Sequence, residues 1–200
     1  MAAHESHHVL IGQRGERLVA PDLLDEALPI HDQTLDSIAR RIVDEFRVER
    51  GIYEEGHPLP PRPHHEMLEG ELEVAEEIVA KETDRVRERL GKTDLARAVG
   101  AVEAVLRRVA HVAATDVATG GQLRPAGSSP VWEQRVGDRY DRLRDDLQRV
   151  PSSLDRVPLD QLRAVAAELR PGVADWMETF WIRLGTRYDG TLGVVNCRPL

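Results

Sequence analysis

Residues 68–110 read LEGELEVAEEIVAKETDRVRERLGKTDLARAVGAVEAVLRRVA, and the fold turns on how their apolar members are spaced. Leu68, Leu72, Ala75, Val79, Val86 and Leu90 recur at steps of three, four and seven, and so do Leu95, Val99, Val102, Leu106 and Val109. Such steps gather each set on one face of a helix. Between the two sets stands Gly91, placed to cap the first helix, with Thr93 or Asp94 placed to start the second. One tight connection makes two long helices antiparallel neighbours.

Working outward, the same period appears in Leu35, Ile38, Ala39, Ile42, Val43 and Phe46, with Asp32 as the N-cap of a helix that should end near Arg50 and Gly51. GIYEEGHPLPPRP, residues 51–63, separates it from the pair as a stiff, proline-fixed connector. Beyond the pair, GGQLRPAGSSP reads as a loop. Trp132, Val136, Tyr140, Leu143, Leu147 and Val150 then form a narrow seam of coiled-coil type. Pro171 and Gly172 divide the next helical stretch into two shorter helices, residues 159–169 and 173–184. PDLLDEALP, residues 21–29, is short enough for one or two helical turns.

Both ends read as β structure. HHVLIGQRGERLV, residues 7–19, places two apolar runs around Gly15, and TRYDGTLGVVNCRPL, residues 186–200, places Asp189-Gly190 between Tyr188 and the apolar Leu192, Val194 and Val195. The expected fold is therefore all-α. It is one domain over residues 1–200: an N-terminal β arm (1–20), an antiparallel bundle of three long and two shorter helices (32–184), and a C-terminal hairpin tail (186–200).

Composition removes several function classes. A net charge of −8 disfavours nucleic acid, whose phosphates are bound by clustered cations. The five arginines of RVGDRYDRLRDDLQR, residues 135–149, are interleaved with Asp138, Asp141, Asp145 and Asp146, as on the solvent side of a helix. No apolar run suits a membrane span, and no basic start with an apolar centre marks a signal peptide, so the expectation is cytoplasmic or inside an intracellularly assembled particle. The single cysteine, Cys197, fits a reducing compartment. GKT at residues 91–93 lacks the upstream glycine of a phosphate loop, and GSSP has no nucleophile elbow around it.

Metal chemistry has a fragmentary signal. His65-x-x-x-Glu69 and His111-x-x-x-x-Asp116 resemble pieces of the hemerythrin-like iron-binding pattern, with His31 standing where that family has an early histidine. The middle His-x-x-x-His pair of that pattern is absent, and Asp84 and Glu88 stand at the suitable spacing. On the helical wheel His65, Glu69 and Glu76 fall within about 40° of one another. His111 lies roughly 180° from Val102 and should point away from the core. Glu69, Glu73 and Glu77, the last with Lys81 four residues on, also read as a solvated acidic face with a helical ion pair. The Glu-x-x-His pair Glu5 with His8 falls in the expected β arm.

The leading expectation is a non-catalytic structural or adaptor subunit without cofactor, which self-associates or joins a larger protein assembly. Its interface would use Trp176, Phe180 and Trp181 on the last helix and Leu192, Val194 and Val195 on the tail, since aromatic residues are enriched at interfaces and strand edges recruit other chains. The alternative is a small di-metal helical bundle holding iron or another divalent metal through His31, His65, Glu69 and Glu76.

Overall fold

Among the described residues, most apolar stretches that keep a helical period are helical. The computed structural model describes residues 2–19, 27–57, 61–87, 95–120, 136–186 and 192–196. Among them run α1 (Ala2–Gln13), α2 (Ile30–Glu54), α3 (Pro61–Arg87), α4 (Leu95–Ala118), α5 (Gly137–Leu147) and α6 (Leu159–Thr179), followed by strands β1 (Ile182–Thr186) and β2 (Leu192–Asn196). No helix among the described residues is long and apolar enough to cross a membrane.

The core forms around α2. Ile38, Ala39, Ile42, Val43 and Phe46 of α2 pack in one continuous cluster with Val102, Leu106 and Val109 of α4 and with Leu162, Ala166, Leu169 and Trp176 of α6. Leu68, Leu72 and Val79 of α3 seal the far side of α4. Each aliphatic or aromatic side chain fully buried in this way contributes about 1.5–3 kcal/mol. Glu69, Glu73, Glu77 and Lys81 of α3 have the opposite fate and are exposed, while Glu82 is buried.

Several expectations are corrected. The N-terminal segment is a helix, α1, rather than a β arm, and it lies on α2 through Ile11, Val48 and Ile52, with Ala3 beside them. α2 starts at Ile30 behind Pro29, so Asp32 belongs to its first turn and is not the cap. The two short helices are one, because α6 runs through Pro171. Proline cannot donate to the carbonyl four residues back. That carbonyl, of Ala167, instead accepts from Arg170 Nε at 3.3 Å. α6 also stops earlier than expected: Trp181 takes a left-handed φ of 57°, which turns the chain out of the helix into β1.

The C-terminal hairpin forms within the chain. β1 pairs antiparallel with β2, Leu184 facing Val194 and Thr186 facing Leu192, and β1 lies against α6 and α2. Trp176 and Phe180, expected at an interface, are buried in the chain's own core at 2% and 0% exposure. Trp181 is half-buried. The expected features at residues 21–26, 58–60, 88–94, 121–135, 187–191 and 197–200, among them Gly91, Thr93, Asp94, Trp132, the Asp189-Gly190 turn and Cys197, lie outside the described residues. So do the side chains of His65, Val194 and Val195.

Candidate metal centre

A helix of 3.6 residues per turn carries residues four apart on one face. On α1 this aligns His4 with His8, whose rings meet edge to face at 4.7 Å between centroids. On α2 it aligns Glu45 with Glu49, and α4 brings up His111 from the opposite side. The three helices thus converge on one carboxylate. His111 Nε2 donates to Glu45 Oε2 at 2.9 Å and His4 Nε2 donates to the same oxygen at 3.1 Å, while His8 Nε2 stands 3.6 Å from it.

The environment differs at each imidazole. Burial pushes the His111 pKa down, against the pull of Glu45 and Glu49. His4 is raised, because its hydrogen bond to Glu45 outweighs the effect of burial. Burial alone would raise Glu45, yet the hydrogen bonds from His111 and His4, with the nearby His8, hold its carboxyl far below the ordinary carboxylate range. The result is a carboxylate favoured in its ionised form and surrounded by nitrogen donors that deprotonation would turn into ligands.

The spacing suits a cation. Ligand atoms about 2.05 Å from a tetrahedral ion lie about 3.3 Å apart, and the two Glu45–imidazole separations are already 2.9 and 3.1 Å. The donor atoms of His4, Glu45 and His111 all lie within 4.8 Å of one another. Two imidazoles and one carboxylate, with no thiolate, form a donor set used by zinc and by ferrous iron.

The surroundings fix the helices that carry these ligands. Arg47, fully buried on α2, donates to Glu16 Oε2 at 2.8 Å and to the carbonyls of Pro151, Ser152 and Asp155, while Glu16 Oε1 accepts from Val157 N at 3.2 Å. Asp44 accepts from Leu18 N and Val19 N, and burial pushes its carboxyl up to about 6. His7, one turn along α1 from His4, donates from Nε2 to Glu55 and so accepts at Nδ1 from Ser153 Oγ at 2.6 Å. Ser153 is fully buried, which makes this serine–histidine–glutamate array a fastening and not a nucleophile. Beside the ligands opens a cavity of about 650 Å³, lined in part by His4, His8, Glu45 and Arg107.

Among the described residues this cluster shares no member with the set His31, His65, Glu69 and Glu76. His31 sits in the first turn of α2, 3.6 Å from Asp32, Glu69 is exposed on α3, and Glu76 is half-buried there. His111, expected to face away from the core, has its ring covered by α1 and α2. Asp116, its partner in the sequence motif, points elsewhere and accepts from Tyr140 OH of α5 at 3.1 Å. The signal that sequence reasoning misses is His4-x-x-x-His8, a ligand pair if the segment is helical and meaningless if it is a strand. Comparison with family models, with curated proteins and with solved structures finds no match for this chain.

Proposed function

We propose that this protein is a helical metal-binding protein that holds one divalent transition-metal ion, of the zinc or ferrous-iron class, between α1, α2 and α4. His4, Glu45 and His111 are the ligands. The observation that carries the reading is the convergence of two imidazole Nε2 atoms, from different helices, on one carboxylate oxygen at close to ligand spacing. Three protein ligands with a cavity beside them leave a coordination position open, as in sites that act on a bound molecule rather than sites that only staple a fold.

The test is a titration of metal-stripped, tag-free protein with zinc and with cobalt(II), followed by calorimetry and by absorption. One equivalent should bind, and His111→Ala or Glu45→Gln should weaken binding more than about 100-fold, since even residues behind a ligand cost 10- to 100-fold. Binding that those variants leave unchanged would sink the reading.

A second reading, a subunit of a protein assembly, is favoured by one observation. Met67 and Val74 of α3 are 48% and 55% exposed and lie two helical turns apart on one face. Molar mass in solution tests it: an assembly held by this face should dissociate when both residues become glutamate, and a monomeric wild type would remove the reading.

A further inference from the structure

We infer that the cavity beside His4 and Glu45 takes a small organic oxyanion, a molecule with a carboxylate or phosphate head that spans from the bound metal to Arg107 and Arg17. This inference rests on the metal reading and names the class of ligand for the open position.

Arg107 is the first support. Its NH1 lies 3.9 Å from Glu45 Oε1, beyond hydrogen-bond range, and its buried Nε has no hydrogen-bond partner. The guanidinium is therefore held over the site by packing and general attraction, with its directional donors uncommitted. Once a metal takes the charge of Glu45, that attraction weakens and the fork turns to the next anion available.

Arg17 is the second. It lines the same cavity, and its backbone is fixed on both sides: Glu16 is bound by Arg47 and by Val157 N, and Leu18 N is bound by Asp44. An exposed arginine between two buried anchors is positioned rather than merely tethered. Gly12 of α1, also in the lining, adds no side chain, and a Cβ there would meet nothing within 4 Å. The metal, Arg17 and Arg107 together outweigh Glu5 and Glu45, so the loaded cavity carries a surplus of positive charge. A volume of about 650 Å³ exceeds what a bare inorganic anion fills and falls within the range of small-molecule pockets.

The experiment uses full-length protein loaded with one equivalent of cobalt(II), none free, at constant ionic strength. Inorganic phosphate and acetate are added separately, and the visible absorption of the cobalt is followed. A saturable spectral change with either anion is expected, and the anion that produces it identifies the head group. Arg17→Ala/Arg107→Ala should weaken that response at least tenfold while retaining cobalt affinity, and Arg107→Lys should weaken it less. If cobalt binds but neither anion changes the spectrum, or the double variant responds like the wild type, the oxyanion inference is overturned and the metal reading stands. If cobalt does not bind, both fall.

Discussion

α2 has two kinds of junction. Against α4 and α6 it presents Ile38, Ile42 and Phe46 to aliphatic and aromatic partners, with charged pairs such as Arg41–Glu103 and Asp36–Arg170 beside them. Against α1 and the segments around residues 14–19 and 150–157 it presents Asp44, Glu45, Arg47 and Glu49, Glu45 also meeting His111 of α4, with Ile11, Val48 and Ile52 as an apolar patch. The first junction is stable because it removes apolar surface from water, and it can do nothing else. The second consists of buried polar groups that must find partners, which costs stability but leaves groups able to exchange one partner for another. A carboxylate held by imidazole protons is a place where a cation can substitute for those protons.

The largest effect that separates the two junctions comes from the apolar one. Phe46→Ala should lower stability by about 3–5 kcal/mol, the usual cost of emptying a large buried aromatic site. Chemical denaturation measures it, and metal affinity of the folded fraction should hold. A loss below about 1 kcal/mol, well under that range, or a loss of metal binding at full folding, would mean the junctions are not separable.

The α1 junction is tested by a smaller change. At Gly51 of α2 a Cβ would lie 2.0 Å from Ser153 Oγ and 2.8 Å from His7 Nδ1, so glycine is what lets α1 and the loop after α5 close over the helix. Alanine should favour the isolated helix by about 1 kcal/mol. Displacing the buried His7–Ser153 pair costs about 1–3 kcal/mol. The expected balance for Gly51→Ala is a net loss of about 1 kcal/mol, with faster proteolysis around residues 148–157. A stabilised variant with unchanged proteolysis would show that the closure is loose enough to absorb a methyl group.

Legibility in the sequence divides along the same line. α2, α3 and α4 are legible because Leu, Ile and Val at helical spacing report a buried face directly. α1 is not, since Val9, Leu10 and Ile11 are consecutive and carry no period, and the run to Gly15 imitates a hairpin. α6 reads as two helices because proline is a breaker on its own, and nothing in the local sequence shows that Arg170 can serve the abandoned carbonyl. The candidate metal cluster is the least legible part. Glu45 and His111 are 66 positions apart, and no spacing rule joins residues that meet only once three helices have packed. Trp176 and Phe180 show the converse, since aromatic enrichment is the same for a core and an interface.

The smallest change asks how the polar junction is tuned. Arg108 NH1 donates to His111 Nδ1 at 3.0 Å, while its Nε and NH2 hold Glu71 at 3.3 and 3.1 Å. With Nδ1 accepting, the imidazole proton resides on Nε2 and points at Glu45, which is the arrangement of a hydrogen bond rather than of a ligand. A metal at Nε2 moves that proton to Nδ1, where it faces a guanidinium that cannot accept it. Glutamine at position 108 offers a carbonyl that can, the partner that metal-bound histidines ordinarily have. Arg108→Gln should therefore raise zinc affinity by roughly tenfold, and Arg108→Met, which removes the donor without supplying an acceptor, should raise it less. Stability should change by no more than about 1 kcal/mol, because the Glu71 pair is partly solvent-exposed. Calorimetric titration of the two variants decides it. A fall in affinity with both would mean that His111 does not ligate through Nε2, and the polar junction of α2 would then be an ion-pair seal like its neighbours around Arg47.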